Sequence, residues 1–293
     1  MADIKVISAD SHADEPASLL DQLPEEYQHK RPRIDTIDGD RYLMFDGWPP
    51  FLIDPIHPLT EADERGSMDL LARLDDVGVG EDRDLGLDIE NRIMEIEQDG
   101  VTAEVIYPNQ SLQVGASPDA GFQVAITRLY NDFYADHFGG HSDRFVPSAV
   151  IPIIDIDASV EEVRRVAKLG FRSMSVSVSR PQRPYNWPVY EPFWTAVEKV
   201  GIPLSFHVFS PGEPFSDKRA YAGLKALHGE DLSVMLLGMA EAMSPLSLLT
   251  ASGVLERHPD LKFVLVECGT GWPGRFTPWT MSLKDGTCGR SRN

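Results

Sequence analysis

From residue 89 onward the chain alternates amphipathic and apolar segments, and this alternation limits the possible folds more than any other feature. Helical periodicity ends at or beside a glycine in the segments 89–99, 119–138, 159–169 and 192–200. A longer helical region covers 218–257, with a predicted break near Ser244 and Pro245. In the first helix Ile89, Ile93 and Ile96 share one face, and Arg92 lies outside it. Apolar strands are predicted at 5–9, 101–107, 145–152, 173–178, 203–207 and 261–267. Strands separated by helices pair in parallel, so the sequence predicts an α/β fold with a parallel sheet.

Composition narrows the class of protein. A chain of 293 residues suits one large α/β domain, because barrels of this class have roughly 250 residues. The net charge of −19 excludes nucleic acid as an expected partner. Two cysteines, Cys268 and Cys288, are too few for a disulfide framework, and no apolar run reaches the about 18 residues of a membrane helix. We therefore expect a cytoplasmic protein that does not bind membranes.

Polar residues lie at the carboxyl ends of several predicted strands. Asp10 and His12 end the first strand, and they project to the same side because successive strand residues alternate faces. His207 and Glu267 end two later strands. No phosphate-binding glycine pattern follows the first strand, which disfavours a dinucleotide-binding sheet. Polar groups gathered at strand ends are typical of the active face of a TIM barrel.

The segment 24–88 interrupts the alternation. It is rich in proline, glycine and aspartate and shows little regular periodicity. A segment this long is usually functional or mobile, and we interpret it as an insertion over the mouth of the site. A surface excursion held by its own aromatic residues is the alternative.

Several phrases of the sequence resemble the amidohydrolase-2 family, which includes the aminocarboxymuconate-semialdehyde and γ-resorcylate decarboxylases. They are residues 8–12 (SADSH), 99–108 (DGVTAEVIYP), 144–147 (RFVP), 170–173 (GFRS) and 258–263 (HPDLKF). The resemblance extends from about residue 4 to residue 272. It implies a (β/α)8 TIM barrel that uses a divalent metal to decarboxylate or hydrolyse a small carboxylated or cyclic substrate.

The resemblance also implies roles for individual residues. His12 and His207 match metal ligands of the family, and Asp10 replaces the histidine or glutamate commonly found first. Two imidazoles and a carboxylate lead us to expect zinc, with manganese as the alternative. A histidine held by a backbone partner is the alternative for His207. Glu267 replaces a catalytic histidine of the decarboxylases, and it would act as a general base or pair with a nearby cation.

Three further residues are candidates for contacting the substrate. Arg180, just past the fourth strand, suits a substrate carboxylate, although a surface role is equally compatible. His228 would orient an acidic substrate, or be an exposed or structural histidine. Trp187 would shape the pocket, or pack its loop against the rim.

The C-terminal region departs from the family pattern. Family members continue through two more βα units after the sixth strand, and the last supplies a metal-binding aspartate. Here Pro273 and Pro278 interrupt the expected helix, and we expect a barrel domain over 1–272 followed by an atypical tail over 273–293, without the last two βα units. Uncovered sheet edges are disfavoured in soluble proteins, so a homo-oligomer is expected.

The sequence thus predicts a metal-dependent hydrolase or carboxy-lyase with a small-molecule substrate. The alternative is a catalytically inactive, truncated paralogue that acts as a binding or oligomerising protein.

Overall fold

The computed structural model describes residues 5–37, 40–47, 50–52, 86–178, 183–208 and 243–267. Within these ranges the main element is a six-stranded sheet with the order β1-β5-β6-β7-β8-β9, in which every neighbouring pair is parallel. Its strands are β1 (Val6–Ala13), β5 (Val101–Pro108), β6 (Phe145–Val150), β7 (Ser173–Ser177), β8 (Leu204–His207) and β9 (Phe263–Val266). The predicted α/β class with a parallel sheet is therefore confirmed.

Helices alternate with these strands as the sequence predicts. They are α1 (Ile89–Gln98), α2 (Ala120–Phe138), α3 (Ile156–Leu169), α4 (Glu191–Val200), α5 (Met243–Ala251) and α6 (Val254–Arg257). The first three begin at an aspartate whose carboxylate accepts a backbone N–H three residues later, as in Asp155 with Ala158 at 3.1 Å. Gly170 and Gly201 end α3 and α4 in the left-handed conformation, which glycine adopts without steric cost.

The sheet is curled. His12 on β1 and His207 on β8 touch across its inner face, with 3.2 Å between their Nε2 atoms. In the order of the sheet β8 is the fourth strand after β1, so in a flat sheet the two strands would lie about 19 Å apart. Strong curling of a parallel sheet is the geometry of a barrel, and it brings the carboxyl ends of distant strands together.

Part of the predicted insertion has regular structure that the sequence pattern did not indicate. A short 3-10 helix occupies Glu25–Lys30, and an antiparallel sheet joins β2 (Arg33–Ile37), β3 (Asp40–Met44) and β4 (Phe51–Leu52). Another 3-10 helix, Ala17–Gln22, lies just before the predicted insertion. The expectation of a segment without regular elements was therefore wrong for this part. Covering of the site's mouth stays a prediction, because residues 53–85 lie outside the described ranges.

The apolar core lies between the sheet and its helices. Trp194 and Phe193 of α4 are fully buried, and the Trp194 ring lies 6.0 Å from that of Phe263 on β9. A second cluster joins the first 3-10 helix to α2 through residues that include Leu20, Phe122 and Tyr130. In the described part of the chain, no helix has the length and apolar character needed to cross a membrane.

The predicted boundary between a barrel domain and a tail stays a prediction, as does the absence of the last two βα units. Both depend on residues 268–293, which are outside the described ranges. Ser244 and Pro245 lie in the first turn of α5. The predicted helix break near them stays a prediction, because residues 209–242 lie outside the described ranges. Among the described residues, α5 and α6 are separated at Gly253, which has a φ of 74°.

Candidate metal centre

The structure brings Asp10, His12 and His207 together at the carboxyl end of the sheet. His12 Nε2 and His207 Nε2 are 3.2 Å apart, and Asp10 Oδ1 lies 3.5 Å from each of them. The three atoms form a compact triangle that can hold one metal ion. A point equidistant from all three lies about 2.0 Å from each, which is the bond length expected between zinc and histidine or carboxylate ligands.

An irregularity in β1 places its two ligands. Ser8 pairs with Glu104 and Ser11 pairs with Ile106, so three steps along β1 oppose two steps along β5. Such a bulge bends the strand and redirects side chains, and bulges are frequent near active sites. Here the bulge contains Asp10. It also puts Ser8 and Ser11 on one side, with 2.8 Å between their hydroxyl oxygens.

A buried ion pair holds the outer side of this bulge. Arg92 Nε donates to Glu104 Oε2 at 2.7 Å, and Ser11 Oγ donates to the other carboxylate oxygen of Glu104 at 2.8 Å. Arg92 Nη1 also donates to the backbone carbonyl of His12 at 3.0 Å. Arg92 and Glu104 are 8% and 7% exposed, so little water competes for these bonds. The pair therefore fixes the backbone that carries His12.

The hydrogen bonding of His207 indicates which of its ring nitrogens faces the candidate ligands. Its Nδ1 lies 2.7 Å from the carbonyl oxygen of Val208, which can only accept, so Nδ1 carries the proton. In the neutral ring, Nε2 then presents its lone pair to Asp10 and His12. This is the usual arrangement of a metal-binding histidine, whose second nitrogen is held by a carbonyl or carboxylate. The alternative considered for His207, a histidine held by a backbone partner, is therefore compatible with metal binding.

The charges at the centre favour a cation. Burial raises the pKa of Asp10, but hydrogen bonds and charges of His12 and His207 outweigh this effect and hold the pKa well below its ordinary value. Burial lowers the pKa of His12, whereas Asp10 by hydrogen bond and charge, and Glu267 by charge, raise it. The net pKa of His12 is raised. An ionised carboxylate therefore faces two imidazoles, a donor set suited to zinc or manganese.

Glu267 directly follows β9, at the same end of the sheet as the three ligands. Its side chain is exposed, and its charge contributes to the raised pKa of His12. Its φ is 60°, in the left-handed region that residues other than glycine rarely adopt. Backbone strain of this kind concentrates at functional sites. The catalytic role of Glu267 stays a prediction.

Of the three candidate substrate contacts, the described ranges include only Trp187. Trp187 precedes the 3-10 turn Pro188–Tyr190, and its side chain is 50% exposed. Among the described residues, the rings in contact with His12 are those of Tyr107 and His207. Arg180 and His228 lie outside the described ranges. The substrate roles of all three stay predictions.

Comparison with known proteins then assigns the family. The sequence profile of a family described as amidohydrolase matches residues 10–286. The chain belongs to this amidohydrolase family. The match covers all three candidate ligands and Glu267, and it confirms the resemblance predicted from the sequence.

A curated relative of this amidohydrolase is the γ-resorcylate decarboxylase of Rhodococcus jostii (strain RHA1). It is 32% identical over 198 residues, which cover 64% of this chain and 58% of the relative. The chain therefore matches less than two thirds of the length of that decarboxylase.

Solved structures support the fold of this amidohydrolase. An amidohydrolase of Mycobacterium avium subsp. paratuberculosis K-10 gives a TM-score of 0.68 at 17% identity and covers 98% of this chain and 78% of that chain. A dihydroxybenzoic acid decarboxylase of Polaromonas sp. JS666 was solved with manganese and the inhibitor 2-nitroresorcinol. It gives a TM-score of 0.52 at 20% identity and covers 95% of this chain and 68% of that chain. At these identities the likeness establishes the barrel-type fold alone.

Proposed function

We propose that this protein is a metal-dependent carboxy-lyase that decarboxylates a small hydroxylated aromatic acid. The observation that carries the proposal is the triangle of Asp10, His12 and His207, whose three donor atoms lie 3.2 to 3.5 Å apart at the carboxyl end of the sheet. Family membership and the 32% identity to a γ-resorcylate decarboxylase support the reaction and the class of substrate.

Asp10, His12 and His207 would hold the metal. Bound there, a divalent ion would supply a Lewis acid that polarises an oxygen of the substrate. Two imidazoles and one carboxylate are compatible with both zinc and manganese. Zinc is our prediction from the donor set, and the manganese in the Polaromonas decarboxylase makes that metal the alternative.

Glu267 would move the proton. In decarboxylation a ring carbon gains a proton and its bond to the carboxylate breaks, with the electron pair left on the ring as CO2 departs. Glu267 is exposed at the sheet end that carries the ligands, so its carboxyl group can exchange protons with solvent and with substrate. Arg180, His228 and Trp187 are proposed to contact the substrate, and Arg180 would pair with its carboxylate.

Hydrolysis of a cyclic ester or amide is a second candidate. Glu267 favours it, because a carboxylate beside a metal centre is a suitable general base toward water. Nothing in the comparisons supports the inactive binding protein considered from the sequence. A homo-oligomer in the cytoplasm remains part of the proposal without further support.

The test combines metal analysis with a direct assay for CO2. The purified chain, loaded with Zn²⁺ or Mn²⁺, is incubated with carboxyl-labelled γ-resorcylate, and labelled CO2 is counted. We expect CO2 release that disappears in His207→Ala and persists in His29→Ala, a matched change at an exposed histidine. Release of CO2 without bound metal, or none with either metal, would overturn the proposal. Hydrolysis of a lactone probe instead would establish the second candidate.

A further inference from the structure

We propose that Tyr107 is a positioning residue that sets the orientation of both ligand imidazoles, and that a row of buried hydroxyls fixes its ring. The inference rests on the proposed metal site, and it assigns a role to a residue that the sequence indicated only as part of an apolar strand. The observations that carry it are the ring contacts of Tyr107 and the hydrogen bonds of its phenol.

The ring of Tyr107 contacts both histidines. His12 and Tyr107 are register partners on β1 and β5, and their ring centroids are 6.2 Å apart. The centroid of the Tyr107 ring lies 5.1 Å from that of His207, with an angle of 66° between the planes. The two imidazoles themselves meet edge to face at 5.0 Å. Each histidine ring is thus held on one side by the other and on a second side by Tyr107.

The phenol of Tyr107 is anchored below the site. Its hydroxyl lies 2.9 Å from Ser205 Oγ, and Ser205 is two residues before His207 on the same face of β8. Burial raises the pKa of Tyr107, while hydrogen bonds with Ser205 and Ser173 oppose that effect. Ser173 Oγ in turn donates to Ser148 Oγ at 3.0 Å. Each of the four hydroxyls therefore has at least one hydroxyl neighbour in this row.

This arrangement differs from ordinary packing of the sheet interior. Barrel interiors are mainly filled by valine, isoleucine and leucine, whereas here three serines and one tyrosine meet. All four residues are nearly or fully buried, from 0% exposed for Ser205 to 6% for Ser173. Hydrogen bonds between buried polar groups are strong, and they hold the groups in defined positions. The row therefore makes the floor of the candidate metal site rigid where the imidazoles need a defined orientation.

The test measures metal affinity rather than activity. The Kd of Mn²⁺ is determined by calorimetry for the wild type, Tyr107→Leu, Tyr107→Phe and Ser205→Ala. Residues that orient metal ligands typically change affinity by about 10- to 100-fold when replaced. We expect at least a tenfold rise in Kd for Tyr107→Leu. Tyr107→Phe removes the hydroxyl, and Ser205→Ala removes its hydrogen-bond partner, while both variants keep the aromatic ring. Both should give smaller rises in Kd together with a changed electron paramagnetic resonance spectrum of bound Mn²⁺.

Tyr130→Leu is the matched control. Tyr130 is equally buried but belongs to the cluster between the first 3-10 helix and α2, so its loss should lower stability and leave the Kd unchanged. Wild-type affinity for Mn²⁺ in all three site variants, or an equal loss of affinity in Tyr130→Leu, would overturn the role of Tyr107 and leave the proposed metal site in place. If the wild type binds no Mn²⁺ and no Zn²⁺, the proposed metal site itself fails.

Discussion

His12 Nε2 and His207 Nε2 face each other at 3.2 Å, although 195 positions separate the two residues in the chain. Two imidazole nitrogens at this distance cannot both be bare without unfavourable contact between their lone pairs. Asp10 Oδ1, at 3.5 Å from each, adds a negative charge to the same point. A bound cation would satisfy all three atoms together.

Removal of Arg92 should destabilise the protein and weaken metal binding. Arg92→Met leaves the Glu104 carboxylate buried without its cation, and breaking a buried pair typically costs about 3 to 5 kcal/mol. It also removes the donor to the His12 carbonyl. Urea denaturation should show the loss of stability. The double variant Arg92→Met, Glu104→Leu should recover part of it, and strict additivity of the two single changes would contradict the coupling.

Replacement of Glu267 should separate stability from activity. Glycine adopts a φ of 60° without strain, so Glu267→Gly should gain about 1 kcal/mol of stability while losing the proposed proton carrier. Glu267→Gln keeps the strain and should leave stability unchanged. Both variants should lose CO2 release. Thermal unfolding and the labelled-CO2 assay check these outcomes, and full activity in Glu267→Gln would exclude a proton-transfer role.

Acid should weaken the contact between α4 and the end of α6. The hydrogen bond from Arg257 lowers the pKa of Glu191, burial opposes this effect, and His258 at 3.0 Å adds to the lowering. A carboxyl group with a lowered pKa in the folded state stabilises the protein above the ordinary value of 4.5, and this contribution disappears as the pH falls. The difference in melting temperature between wild type and Glu191→Gln should therefore shrink below about pH 4.5. Glu25→Gln changes an exposed residue, so its melting temperature should stay close to that of the wild type at every pH.

The sequence predicted those parts of the fold that depend on local patterns. Apolar segments gave the six strands of the parallel sheet, and helical periodicity gave α1 to α4, to within a few residues. Each of these elements buries apolar side chains in the same core. The ligands Asp10 and His12 were found because they are close in sequence on one strand. His207 was added by its position at a strand end and by resemblance to a family.

Contacts between distant segments were not predictable in this way. Arg92 lies outside the apolar face of α1, and its burial depends on Glu104, which lies on the neighbouring strand β5. The bulge in β1 depends on its register with β5, which no local pattern of the strand encodes. The role proposed for Tyr107 likewise needs three serines from three different strands. The alternation of serines with apolar residues in β7 was the one available signal of a polar interior.

Metal binding by single-substitution variants of the three ligands tests most directly the claim that Asp10, His12 and His207 hold a metal ion. The metal content and the Kd of Zn²⁺ and Mn²⁺ are measured for the wild type, Asp10→Asn, His12→Ala, His207→Ala and the control His29→Ala. We predict that the wild type and His29→Ala bind one ion per chain and that each of the three triad changes abolishes or severely weakens binding. Unchanged binding in the triad variants, or a wild type that binds neither metal, would contradict the account.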